Sequence, residues 1–108
     1  MRALAVTTSQ RSRLAPDLPT VAASGLPGYE SVSILGIFAP AKIPATVINL
    51  LNREIVRILN KADVKERFFS SGAEAVGSSP EEFVATIKSE IARWGKVIKD
   101  AGIRGRGE

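Results

Sequence analysis

The sequence predicts an α/β domain, and three observations lead there. Residues 29–38 are rich in aromatic, β-branched and small side chains and are bracketed by Pro27-Gly28 and Ala39-Pro40, the pattern of one strand. From Pro44 the apolar residues switch to a helical period, with Val47, Leu50, Leu51, Ile55, Ile58 and Leu59 on one wide face. Further on, Ser79-Pro80-Glu81-Glu82 opens another helix, whose stripe of Phe83, Ile87, Ile91, Trp94 and Ile98 is spaced four, four, three and four.

The remaining elements follow in order. Residues 2–7 are apolar at Ala3, Leu4, Ala5 and Val6, which reads as a strand buried on both faces. Such a strand needs neighbours, and hardly any candidate follows it. Residues 8–19 form a loop by composition, and residues 20–24 a short helical turn closed at Gly25. Gly36, inside the 29–38 strand, marks a bulge, a bend or a close backbone approach. The first long helix spans 44–61 with Pro44 in its first position, and Arg53 and Arg57 lie on its polar side. A shorter helix spans 63–71, with Asp63 and Glu66 spaced as a capping box, Val64, Phe68 and Phe69 apolar, and Gly72 as its left-handed stop. Residues 73–77 read as an extended segment at a sheet edge. The last helix spans 80–101 and ends at Ala101-Gly102, and residues 104–108 read as frayed.

Composition narrows the function classes. With no cysteine and no histidine, disulfides, thiol chemistry, the common zinc sites and the usual near-neutral general base are excluded. The net charge of +4 is spread without a basic stripe, which argues against nucleic-acid binding. No apolar run approaches the roughly 18 residues of a membrane-spanning helix. The apolar run in the first ten residues, MRALAVTTSQ, is too short for a signal peptide.

Candidate catalytic groups dissolve on inspection. Glu81 and Glu82 are accounted for by the cap, while Glu54 and Glu90 fall on polar helix faces and are expected to be solvated. Trp94 sits in an apolar stripe and is expected to be core. Thr7, Thr8 and Ser9 follow a strand, where α/β folds place ligand loops, although a hydroxyl-rich loop is also simply a loop. Gly25-Leu26-Pro27-Gly28 lacks the Lys-Ser/Thr and the helix of a phosphate loop. No triad, dyad or metal cluster can be assembled, so no enzyme and no cofactor is expected.

Four pieces taken together resemble one family. They are the opening RALAVTTSQRS; Pro16-Asp17-Leu18-Pro19-Thr20-Val21-Ala22 with Gly25-Leu26-Pro27-Gly28-Tyr29-Glu30; Gly36-Ile37-Phe38-Ala39-Pro40; and Gly77-Ser78-Ser79-Pro80-Glu81-Glu82-Phe83 leading to Glu90, Trp94 and Lys99-Asp100-Ala101-Gly102-Ile103. Each piece alone is weak, but their order and spacing resemble the C-terminal third of the Bug-type extracytoplasmic solute receptors, the binding proteins of tripartite tricarboxylate transporters.

The resemblance implies a C-terminal fragment of a two-lobed periplasmic-binding-protein type II fold, not a complete receptor. Residues 1–28 would be a strand and loop of the second lobe, and 29–108 the crossing strand and C-terminal helices of the first. The opening strand would then lack neighbours because they lie in the preceding two thirds. The parent would bind small carboxylates, di- and tricarboxylates or related acids, and deliver them to membrane transporter subunits. Its main ligand loops belong to the N-terminal part, which leaves Ser33, Ile34 and Gly36 on the crossing strand as the cleft-facing positions here. Ile34 departs from the family, which commonly has Trp at that place. Location is periplasmic by resemblance, or cytoplasmic if Met1 is the true start. The alternative is a truncated, stand-alone oligomeric interaction module that binds no ligand. Either way, apolar helix stripes without a sheet to cover them predict a homo-oligomer, most simply a two-fold dimer.

Overall fold

Local signals place the helices of the chain, whose computed structural model describes residues 1–103. Helix α1 spans Ala45–Leu59, α2 spans Ala62–Ser70 and α3 spans Pro80–Asp100, preceded by a 3-10 turn at Ala22–Ser24. The fraying expected over 104–108 lies outside the described residues.

The start of α3 is built as its sequence dictates. Ser79 Oγ accepts the Glu82 N–H at 3.1 Å, and Glu82 Oε2 accepts the Ser79 N–H at 2.9 Å. Pro80 occupies the first helical position, where no donor is needed, and Glu81 and Glu82 face the positive helix end. Ser79→Ala is expected to cost about 1 kcal/mol. A thermal melt followed at the helical far-ultraviolet band checks this, and an unchanged midpoint would discredit the reciprocal cap.

Two helices stop by the same backbone device. The Ala73 N–H reaches the Phe68 carbonyl at 2.9 Å and the Gly72 N–H reaches Phe69 at 3.0 Å, with Gly72 at φ +80°. At the end of α3, Ile103 bonds Ile98 and Gly102 bonds Lys99, both at 3.1 Å, with Gly102 at φ +65°. These are Schellman stops, which require a residue tolerant of the left-handed region.

Two expected helix starts move by a residue. Pro44, with ψ 139°, is the cap of α1 rather than its first helical residue. Helix α2 begins at Ala62 because the Lys61 carbonyl accepts the Lys65 N–H at 3.0 Å. Asp63 therefore stands inside the first turn, where its charge suits the helix dipole, and makes no side-chain cap.

The three segments read as strands, 2–7, 29–38 and 73–77, form no ladder among the described residues. One parallel bridge links Val6 to Thr20: the Val6 N–H donates to the Pro19 carbonyl and the Val21 N–H to the Val6 carbonyl, each at 2.9 Å. On its other side Thr7 accepts the Ser31 N–H at 2.8 Å, and its hydroxyl donates to the Ser31 carbonyl at 2.7 Å. The opening segment thus has partners from its own chain on both edges, which corrects the expectation that it has none. Both contacts are only a residue or two long. Beyond them, residues 32–43 make no backbone–backbone hydrogen bond among the described residues. Strand character is a property of pairs, and these segments have the side chains for it without the partners.

Packing is correspondingly thin. Helix α1 touches both α2 and α3. Its inner stripe of Ile48, Asn52, Ile55, Val56 and Leu59 is half-buried, whereas Val47, Leu50, Leu51 and Ile58 stay exposed. The 73–79 connection crosses α1 closely: Asn52 Nδ2 donates to the Ser78 carbonyl at 2.9 Å, and a β-carbon on Gly77 would sit 3.0 Å from Val56 Cγ1. Among the described residues only Thr20 is buried, and no apolar side chain is. The radius of gyration is 17.2 Å, against about 13 Å for a compact chain of this length. Accessible surface is 9255 Å², roughly 3,000 Å² more than a folded monomer of this mass exposes. Among the described residues no helix is long and apolar enough to cross a membrane.

Candidate functional site

Residues 32–38 run beside α3 with a two-residue alternation. Val32, Ile34, Gly36 and Phe38 face the helix and, with Phe83, Ile87, Glu90 and Ile91, line an open groove of about 260 Å³. The groove is set by one close approach. A β-carbon on Gly36 would fall inside the Phe83 ring edge, 2.7 Å from Cε1, so the backbone lies directly on that ring. Phe38 adds a tilted ring contact to Phe83, with centroids 5.5 Å apart. Of the three readings of Gly36, the close approach is the one realised, and its φ is negative.

At the far end of the groove the lining turns polar. Glu90 is half-buried rather than solvated: its Oε2 accepts Arg93 Nη2 and Trp94 Nε1, both at 2.9 Å. Arg93 reaches across to Glu30, 3.9 Å away at Nη1, and its guanidinium lies 5.3 Å from the Trp94 ring centroid. Trp94 itself is exposed, so it is not core among the described residues. One arginine therefore ties α3 to the start of the crossing segment. The i, i+3 spacing of Glu90 and Arg93 was legible as a helical pair. The contact with Glu30, sixty-odd residues away in sequence, carried no local signal.

A second, more polar groove of about 220 Å³ lies on the other side of Glu30, lined by the loop 8–12, Val32 and Glu74. Here Thr8 and Ser9 stand where the strand-then-loop argument put them, while the Thr7 hydroxyl is committed to Ser31. The Thr8 hydroxyl turns inward to the Gln10 carbonyl, and Arg11 Nη1 donates to the Pro16 carbonyl at 3.4 Å. Two carboxylates, Glu30 and Glu74, share this groove with the single guanidinium of Arg11.

The named cleft positions divide. Ile34 and Gly36 sit together in the first groove, whereas Ser33 lines neither groove and is exposed. The first groove is apolar apart from Glu90, whose charge is opposed by Arg93. It offers shape and apolar contact to a ligand, and no uncommitted cation for a carboxylate.

Comparison with known proteins points in one direction. The family model described as tripartite tricarboxylate transporter family receptor matches residues 1–103. A UPF0065 protein from the tcbD-tcbE intergenic region of Pseudomonas sp. strain P51 is 40% identical over 99 residues, which is 91% of this chain and 30% of that protein. Protein BugT of Bordetella pertussis is 35% identical over 96% of this chain and 32% of its own length. Among solved structures, R. palustris Rpa4515 with adipate superposes with a TM-score of 0.78 at 38% identity, over 92% of this chain and 33% of the other. The periplasmic binding protein BugD gives 0.71 at 32% identity, over 93% and 34%. The chain spans about a third of the length of these relatives. Its segments thus have the arrangement found within solved receptors of the periplasmic-binding-protein type, and the chain belongs to the tripartite tricarboxylate transporter receptor family.

Proposed function

We propose that this chain serves as part of a solute receptor that binds small carboxylates, di- or tricarboxylates or related acids, for uptake by a tripartite transporter. The observation that carries the reading is the match to R. palustris Rpa4515 with adipate, at 38% identity over 92% of this chain. Family membership speaks for a receptor and against an enzyme. On this reading residues 1–28 belong to the second lobe and the crossing segment leads back to the first. Ile34 and Gly36 face the cleft, with Ile34 giving apolar contact, and Ser33 stands on the opposite face. The partners are the ligand and the membrane subunits of the transporter, and the place of action is the periplasm.

Among the described residues no free cation lines the apolar groove, so the chain by itself is expected to bind adipate, succinate or citrate weakly. Calorimetry with these acids is the test, run on the chain alone and on Rpa4515 carrying this chain in place of its matching third. The expected outcome is no saturable heat for the chain alone. The graft should bind adipate within about tenfold of the parent, about 1.4 kcal/mol. A folded graft that has lost all adipate binding would sink the receptor reading.

The large exposed apolar surface favours a second statement about the isolated chain. Alone, it covers that surface by association with its own copies, most simply as a two-fold dimer.

A further inference from the structure

We infer that Arg93 is the positioning residue of the junction between the two lobes: by holding Glu30 on α3 it sets the angle at which the crossing segment leaves the second lobe. The inference rests on the receptor reading and the lobe division proposed above, and adds which contact yields when the lobes turn.

Neighbouring residues at this junction are tied to different parts of the chain. Ser31 is bonded back to the 1–28 part: its N–H donates to the Thr7 carbonyl at 2.8 Å, and its carbonyl accepts the Thr7 hydroxyl at 2.7 Å. Thr7 is secured there in turn, because Val6 beside it bonds both Pro19 and Val21. Glu30, one residue earlier, has its carboxylate against Arg93 on α3 instead. Just upstream, Leu26-Pro27-Gly28-Tyr29 form a type II turn, closed by the Tyr29 N–H on the Leu26 carbonyl at 3.0 Å with Gly28 at φ +82°. A closed turn on one side and a two-bond clasp on the other leave little slack around Glu30.

The two ties differ in strength. Those of Ser31 are hydrogen bonds of ordinary length, whereas Glu30 Oε2 and Arg93 Nη1 stand 3.9 Å apart, a charge contact without a hydrogen bond. Arg93 keeps its place without Glu30: Glu90 Oε2 holds its Nη2 at 2.9 Å, and the guanidinium lies 5.3 Å from the Trp94 ring centroid, both partners on its own helix. A turn of the lobes that keeps Ser31 on Thr7 is therefore taken up in the weakest tie, Glu30 to Arg93. Arg93 lines neither groove, so it acts through Glu30 rather than on a ligand. Glu30 does line the second groove, between the 8–12 loop and Glu74, and the shape of that groove follows the contact. Both side chains are part-exposed, and pairs of that kind bias an equilibrium by up to about fivefold. Such a bias tilts the balance between two lobe angles without locking it, which suits a receptor that has to release its solute.

The Rpa4515 graft described above, with adipate as the probe, tests the effect on binding. Glu30→Gln and Arg93→Gln are each expected to weaken adipate binding about two- to fivefold in calorimetry, and the double variant no more than either alone, since all remove one contact. Salt at about 1 M should narrow the gap between the parent and Glu30→Gln, because screening removes the pair that the variant already lacks. The angle itself is read in the chain, which has no cysteine of its own. Spin labels on Ala23→Cys and Ala85→Cys, both exposed positions, are measured in an excess of unlabelled chain. One narrow distance is expected for the parent and a broadened one for Glu30→Gln, with the helical far-ultraviolet signal unchanged. A label distance that ignores Glu30→Gln overturns the inference, and so does an adipate affinity that ignores it in a graft that binds. A folded graft that binds no adipate defeats the receptor reading instead, and the inference falls with it.

Discussion

Gly36→Ala is expected to lift the crossing segment off α3. The added β-carbon meets the rim of Phe83 at distances that no real contact tolerates, and the neighbour is a rigid ring rather than a flexible chain end. Either the ring leaves its rotamer or the backbone moves, and overpacking of this kind costs about 1–3 kcal/mol. The displacement would also separate Phe38 from Phe83 and pull Glu30 from Arg93. The measurement is a double-mutant cycle by denaturant titration: Gly36→Ala, Phe83→Leu, and both together. A positive coupling is expected, with the double variant recovering part of the loss, because the smaller side chain vacates the space the methyl needs. Strict additivity would mean that the glycine serves something other than this approach.

Thermal stability of the isolated chain is expected to depend strongly on its concentration. With no apolar side chain buried among the described residues, little holds one copy together. Stability is then inseparable from whatever covers the bare faces. Raising the concentration a hundredfold favours association by about 2.7 kcal/mol, which for a chain of this size corresponds to a midpoint shift on the order of 10 °C. Differential scanning calorimetry at micromolar and at hundred-micromolar concentration checks this. A concentration-independent, sharply cooperative transition would show a core that a single copy completes alone.

How much was legible in the sequence depends on the reach of each interaction. The Ser79–Glu82 box closes over three residues, and the stops at Gly72 and Gly102 close over five. Patterns of that length can be read directly, and these read correctly. The Asp63–Glu66 spacing misled because Lys61 was free to make the first helical bond, and nothing in a four-residue pattern reports that. Glu90 and Trp94 show a different limit. Their helical register was right, yet the environment of each is set by Arg93 and by a crossing segment remote in the chain, so solvated and core were both the wrong expectation. Of the cleft positions, Gly36 by being glycine left a bulge, a bend or a close approach open, and neither the choice among them nor the identity of Phe83 as its neighbour had a trace in local spacing.

Family membership was readable because it rests on the order of short motifs, and each survives without knowledge of its surroundings. Helix limits and stops were readable too, since a helix bonds within itself. Where the extended segments go was a matter for three dimensions, because a strand's donors and acceptors are satisfied by other stretches of chain. Thr7 on Ser31, Val6 beside Thr20 and the unbonded edge of residues 32–38 are all outcomes of that long-range competition. The last of them leaves this chain with a hydrophobic, uncharged edge, and an edge of that kind is stabilised by gaining a partner.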